Sequence, residues 1–297
     1  MIYDIVIVGA GPAGVTAAVQ LKRAGYSILL IEKKRVGGLV ANANLIENYS
    51  GFPEGISGIK FALLLKKYMK KYRIPLSIAE VKNIQKKGKI FIISTDNLRL
   101  HSKAVVIATG TSAKRIKVEG ETVLENKRLF YEINNLPSLY SKTEVSIIGG
   151  GDVAFDYALN LAKNRKINRI NIIMRNKPDC ISILLKRATK NRKINILLSS
   201  IIKKFVMENN KIKLVLIGKP TKILYQDYIV VAIGREHNIK FLSLDWQRRL
   251  HKNPHALEDG GLCLAGDVNA QNMRYVAVAV AEALRASTIV GRFLYGY

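Results

Sequence analysis

The sequence predicts an α/β protein made of two Rossmann-like (three-layer ββα) dinucleotide-binding domains, the second inserted within the first. Three observations carry this reading. An apolar, β-branched run from Tyr3 breaks at Gly9, Gly11 and Gly14 and becomes an Ala-rich helical pattern. The same order of strand, glycine turn and helix returns at residues 144–159, with Gly149, Gly151 and Ala154 at the matching places. Two further apolar runs with small-residue ends, 104–110 and 228–234, look like matching crossover points between domains. The expected division is 1–110 and 231–297 for the first domain and 111–230 for the inserted one.

Each element of the first motif has a physical task. Gly9 permits the sharp turn, Gly11 lets backbone approach a pyrophosphate, and Gly14 lets helix and strand pack closely. Pro12 and Ala13 lie inside the same turn, at a helix N-terminus that supplies free N–H groups and partial positive charge. The next apolar run, from Ser27, ends in Glu32, about 20 residues beyond the turn, where a carboxylate accepts hydrogen bonds from ribose hydroxyls. In the second copy, Asp152 and Val153 stand at the head of the helix. Its next strand, 169–174, ends in Arg175-Asn176-Lys177 and not in an acid. Arg175 and Lys177 suit a 2′-phosphate, so this turn is expected to prefer NADP(H) to NAD(H).

Composition narrows the function classes. The chain has 297 residues, with 48 Lys+Arg against 22 Asp+Glu and a formal net charge of +26; its mean hydropathy is +0.08. Apolar residues make up 48%, enough for packed cores and against wholesale disorder. No run reaches the roughly 18 apolar residues of a spanning helix, and Met1 leads straight into a strand, so a cytoplasmic protein without membrane attachment is expected. Cys180 and Cys263 are the only cysteines, and the four histidines show no ligand spacing, so no metal site is expected. Charge is uneven: residues 160–222 hold 17 Lys+Arg against Asp179 and Glu208, a net +15. Such a face steers acidic partners. A simply solvated face is the competing reading, and nucleic acid is disfavoured by one Trp and no recognisable module.

Over essentially its whole length the chain resembles the low-molecular-weight thioredoxin reductase family of two-dinucleotide flavoproteins. The residues that carry the resemblance are Gly9 to Gly14, Gly37-Gly38, the segment 46–58 (Ile-Glu-Asn-Tyr-Ser-Gly-Phe-Pro-Glu-Gly-Ile-Ser-Gly), Ala108-Thr109-Gly110, Gly149 to Asp152, residues 232–235 and residues 261–268. The resemblance implies FAD in the first domain and NADPH in the inserted one, with NADPH or NADH as donor, and a homodimer. Carried over by position, it places Gly38, Leu39, Asn42 and Asn48 on the flavin side and adds Val81 and Ala108 to Gly110 to the FAD site. Gly266 and Asp267 would bind the ribityl chain or a flavin phosphate. Arg274, Tyr275 and Val276 would open a helix whose N-terminus faces the flavin pyrimidine and stabilises negative charge there on reduction.

The sequence also departs from that family. The Cys-x-x-Cys that receives electrons from flavin corresponds here to residues 132–135, with Glu132 and Asn135 at the cysteine positions. A carboxylate and an amide cannot cycle between dithiol and disulfide. No side chain is assigned as catalytic, because the flavin carries the chemistry. The stretch with Asp152, Asp156 and Tyr157 is similar to the thioredoxin-reductase-like ferredoxin–NADP reductases. The expected activity is therefore NAD(P)H oxidation through FAD to an external acceptor, including an acidic, ferredoxin-like carrier. The alternative is a non-catalytic or sensory FAD-binding protein with a basic partner-docking domain.

Overall fold

A computed structural model describes residues 1–217, 222–269 and 273–295. In chain order its elements begin with β1 (Ile2–Val8), α1 (Pro12–Arg23), β2 (Ile28–Glu32), α2 (Gly58–Lys71), β3 (Leu76–Ile78), β4 (Val81–Lys87), β5 (Ile90–Thr95), β6 (Arg99–Ile107) and β7 (Thr111–Ala113). There follow α3 (Glu121–Leu124), β8 (Leu129–Phe130), β9 (Thr143–Ile148), α4 (Asp152–Ala162), β10 (Ile167–Ile173), α5 (Ser182–Thr189) and β11 (Ile194–Leu197). The remaining elements are β12 (Ile201–Glu208), β13 (Lys211–Ile217), β14 (Lys222–Gln226), β15 (Tyr228–Val231), β16 (Arg235–His237), α6 (Leu244–Lys252), β17 (Leu262–Leu264) and α7 (Val276–Tyr295).

The chain forms two compact units, the second inserted in the first. One comprises residues 1–41, 46–112 and 237–297; the other comprises 42–45 and 113–236. In the first unit the sheet order is β3-β2-β1-β6-β5-β4, with β17 also paired to β6. The β3-β2-β1-β6-β17 pairs are parallel, whereas β4-β5-β6 is an antiparallel extension. The central strands β1 and β2 are apolar on both faces because both are covered. Val6, Val8, Ile31, Val105 and Phe91 belong to one core that also takes Leu242 and Leu250. On another face α1 buries Ala17, Ala18 and Leu21.

The second unit repeats this plan. Its parallel sheet runs β11-β10-β9-β15-β8, and a separate antiparallel sheet runs β12-β13-β14. Helices α4 and α5 pack on one core with Phe155, Ile147 and Ile172. The antiparallel sheet packs through Phe205, Ile212 and Leu214 on a second core with Ile148 and Val231. Two cores on opposite faces of one sheet make three layers. The predicted fold class is thus the observed one, twice over.

Sequence periodicity overlooked α6. Ser243 caps it by accepting from the Trp246 N–H at 3.3 Å, Asp245 sits in its first turn, and Arg249, His251 and Lys252 sit in its last. Only Leu250 of the helix is buried, too little apolar patterning to announce it.

Candidate dinucleotide sites

In the first unit, β1 ends in a turn that only glycines can make. Gly9 has φ +103°, and a Cβ there would lie 2.4 Å from the Ala108 carbonyl oxygen. A Cβ on Gly14 would lie 1.7 Å from the Gly9 oxygen, so α1 rests directly on the turn. Around a Cβ built on Gly11 nothing lies within 4 Å. That opening faces the head of α1, which has Pro12 at its start and no side-chain cap. An open backbone edge beside an uncapped helix N-terminus is the cradle a pyrophosphate needs.

Other expected residues gather here. Glu32 is 8% exposed, and its carboxylate accepts from the Ala10 N–H at 2.8 Å and the Lys34 N–H at 2.9 Å. It therefore braces the turn as well as ending β2. The Gly37 N–H donates to the Ala10 oxygen at 2.8 Å, and a Cβ on Gly38 would come 3.5 Å from the Gly11 Cα. Gly38 and Leu39 belong to the 3-10 turn Gly38–Asn42. The Ala79 N–H donates to the Glu32 oxygen at 3.0 Å, which brings the start of β4, with buried Val81, beside the end of β2. Ala108 donates to the Val8 oxygen at 2.8 Å; Thr109 Oγ1 donates to the Asn238 oxygen at 2.7 Å, and the Asn238 N–H to the Gly110 oxygen at 3.1 Å. A Cβ on Gly266 would lie 2.7 Å from the Ala13 Cβ, so Gly266 and Asp267 sit against the first turn of α1. Apart from Val81, which begins β4, these positions follow the carboxyl ends of β1, β2, β6 and β17, where ligands bind in open α/β sheets.

Three groups stand apart. Asn48 is exposed in the loop closed by the Ile46–Ile56 bridge. Arg274 precedes α7, its Nε buried without a protein partner, while Tyr275 is exposed and Val276 starts the helix. Asn42 is buried in the second unit and its amide is already engaged there, as described below.

The second glycine turn is built alike. Gly149 has φ +146°, and a Cβ there would lie 2.1 Å from the Ala232 oxygen. Buried Ala154 packs beneath it, and α4 has no side-chain cap at Gly151. The loop after β10 folds back onto the turn: the Asp179 N–H donates to the Gly150 oxygen at 2.8 Å, and Asp152 Oδ1 accepts from the Ile181 N–H at 2.8 Å. Arg175 and Lys177, both exposed, belong to this loop, while Val153 is 41% exposed on the first turn of α4. The fold thus brings the predicted basic pair to the predicted turn beside the expected Asp152, together with a second carboxylate, Asp179, that spacing did not announce.

Sequence reasoning missed a buried polar knot in the second unit. The Glu132 carboxylate accepts from Tyr157 Oη at 2.6 Å, Asn42 Nδ2 at 2.8 Å and Arg235 Nη1 at 2.8 Å. The Glu132 and Arg235 side chains are 15% and 12% exposed. Asn42 Oδ1 accepts from the Asn134 N–H at 3.2 Å, and Asn160 Nδ2 donates to the Asn42 oxygen at 3.1 Å. One turn away on α4, Asp156 accepts from the Asn44 N–H at 2.8 Å. Burial pushes the Asp156 carboxyl up to about 6 and the Tyr157 phenol well above its ordinary range. The signal was present in Tyr157 and in Arg235, but their meeting with Glu132 joins stretches far apart in the inserted unit.

Comparison with known proteins bears on the family and the fold. Residues 3–283 match the family described as pyridine nucleotide-disulphide oxidoreductase. The chain is 28% identical to the thioredoxin reductase of Borreliella burgdorferi over 99% of its own length and 92% of that protein. It is 33% identical to the thioredoxin reductase of Bacillus subtilis over 71% of its length and 66% of that protein. The crystal structure of Lactococcus lactis thioredoxin reductase superposes with a TM-score of 0.87 at 25% identity, covering 99% of this chain and 100% of that one. FAD and NADPH are the cofactors of thioredoxin reductases, matching the pair expected for the two turns. The chain belongs to the pyridine nucleotide-disulphide oxidoreductase family and is a thioredoxin reductase-like FAD/NAD(P) oxidoreductase.

Proposed function

We propose that this protein oxidises NAD(P)H through FAD and hands the electrons to an external acceptor, without an active-site disulfide of its own. The observation that carries the reading is Glu132. It stands, with Asn135, where the family resemblance puts the cysteine pair, and its carboxylate is engaged by three donors. A group so held is a structural counter-charge to Arg235. The cysteines support the same view. Cys263 is buried in β17, its thiol pushed up to about 12 by burial. Burial, with Asp152 and Asp179 nearby, also raises the Cys180 thiol. Neither environment favours the reactive thiolate.

Bound FAD supplies hydride acceptance from a nicotinamide and onward electron transfer. The chain's own part is to hold and orient. The Gly9 to Gly14 turn and the head of α1 take the pyrophosphate, Glu32 takes the ribose, and Asp267 takes the polyol or a phosphate beside Ala13. Arg274 and the start of α7 stand ready for the ring's polar edge. In the second unit, the Gly149 to Ala154 turn and the pair Arg175 and Lys177 take the donor, with NADPH preferred to NADH. The assembly is a homodimer in the cytoplasm, and an acidic carrier protein is the acceptor class that the basic charge favours.

Anaerobic titration of the yellow protein with NADPH and NADH, followed at the flavin band, tests this. NADPH is expected to bleach the band at lower concentration than NADH. The reduced protein is expected to pass electrons to ferricyanide or a ferredoxin and not to thioredoxin. A spectrum unchanged by both donors would favour the non-catalytic flavin-binding alternative, and rapid thioredoxin reduction would remove the proposal.

A further inference from the structure

The antiparallel sheet β12-β13-β14 carries apolar side chains on both faces. Its inner face fills a core through Ile202, Phe205, Ile212, Leu214 and Leu216. Normal alternation makes the other face polar when it meets water. Here the register sets Ile201 beside Ile217, and Ile223 beside Val215. Next come Val206 and Tyr225, one on each side of Lys213. Ile201, Ile217 and Ile223 are 48%, 49% and 50% exposed. Three adjacent strands thus present one apolar band to solvent, more than scattered surface residues would give.

Charge identifies what covers it. The three strands carry Lys203, Lys204, Lys211, Lys213 and Lys222 against Glu208 alone. That glutamate is already held by Lys213 at 2.8 Å and Tyr225 at 3.2 Å. A second copy of the same face would set lysines against lysines, which costs binding energy. A nucleic acid would want stacking aromatics, and this band is aliphatic with one tyrosine. We propose that the outer face of β12-β13-β14 docks a small acidic electron-carrier protein, its carboxylates reaching the lysines and an apolar patch lying on Ile201, Ile217 and Ile223. This rests on the reading that the external acceptor is a carrier protein.

The test uses the holoprotein and a small acidic iron–sulfur ferredoxin as probe, with binding read by calorimetry. Lys204→Glu changes a half-buried side chain and Ile223→Asp an exposed one, both outside the two dinucleotide turns. Each is expected to weaken ferredoxin binding about fivefold to tenfold at low salt, and the wild-type affinity to fall as salt rises. Ferricyanide reduction with NADPH is expected to stay unchanged in both variants, which shows that they fold and turn over. Undiminished ferredoxin affinity in both variants would overturn the docking face. A wild-type protein that reduces ferricyanide but binds no ferredoxin, or binds phosphatidylglycerol vesicles instead, would overturn the occupant while leaving the NAD(P)H and FAD reading intact. Failure of ferricyanide reduction in the wild type would count against that reading, and the binding curves would still decide the face.

Discussion

Among single residues, Asp156 gives the sharpest handle, because its environment works against its charge. Burial is the leading cause of its rise from an ordinary 3.8 to about 6, opposed by the Asn44 N–H and by Lys163. A carboxyl raised in the folded state adds stability that is complete below its unfolded value and is lost as pH climbs through the folded one. A gap of about two pH units corresponds to about 3 kcal/mol. Asp156→Asn copies the protonated shape without the charge. It is expected to melt about 5 °C higher than the wild type at pH 8 and at the same temperature at pH 4. A variant that melts lower at both pH values would show that the ionised form is the one the fold wants. Glu132 is the opposite case, a buried carboxylate matched by a guanidinium and two further donors. Its type and number were legible in the sequence, but its partners were not, because Asn42, Tyr157 and Arg235 come from widely separated stretches.

At the scale of the element, the two helix-opening turns separate what glycine does for the fold from what it does for a ligand. Gly14 has no room for a side chain, since its Cβ would overlap the Gly9 oxygen at 1.7 Å. Gly11 has an ordinary φ of −74° and open space beside it. Gly14→Ala is therefore expected to fail to accumulate as folded protein or to lose several kcal/mol, on the order of other overpacked sites. Gly11→Ala is expected to fold with stability within about 0.5 kcal/mol of the wild type and to bind FAD at least tenfold more weakly, read by quenching of flavin fluorescence on titration of the apoprotein. Equal FAD affinity in Gly11→Ala would place the pyrophosphate elsewhere. Both turns were readable from spacing because each role needs one residue type at one position. The capped helix α6 was not readable, since it buries a single leucine.

For the molecule as a whole, two units with separate cores imply separable stabilities. A ligand that binds only one folded unit raises that unit's stability by about 2.7 kcal/mol when present at 100 times its dissociation constant. Calorimetry of the apoprotein is expected to show that FAD moves the transition of the unit built on β1 and α1. NADPH is expected to move that of the unit built on β9 and α4. A single transition shifted equally by both would contradict the separation. The global charge of +26 acts at this scale too, through encounter and orientation more than through the fold. Among the described residues no helix is long and apolar enough to cross a membrane.

Legible in the order of residues alone were the two parallel sheets, their glycine hinges and the acid or basic residues that end their second strands. Such features are local: spacing, periodicity and the absence of a side chain are properties of neighbouring residues. It took the folded arrangement to bring Asp179 back onto the second turn, to lock Glu132 with Asn42, Tyr157 and Arg235, and to turn an apolar band of β12-β13-β14 toward solvent. Those outcomes depend on which distant segments the layers bring together and which face each strand turns outward, and a one-residue bulge such as that at 202–204 is enough to reassign the face.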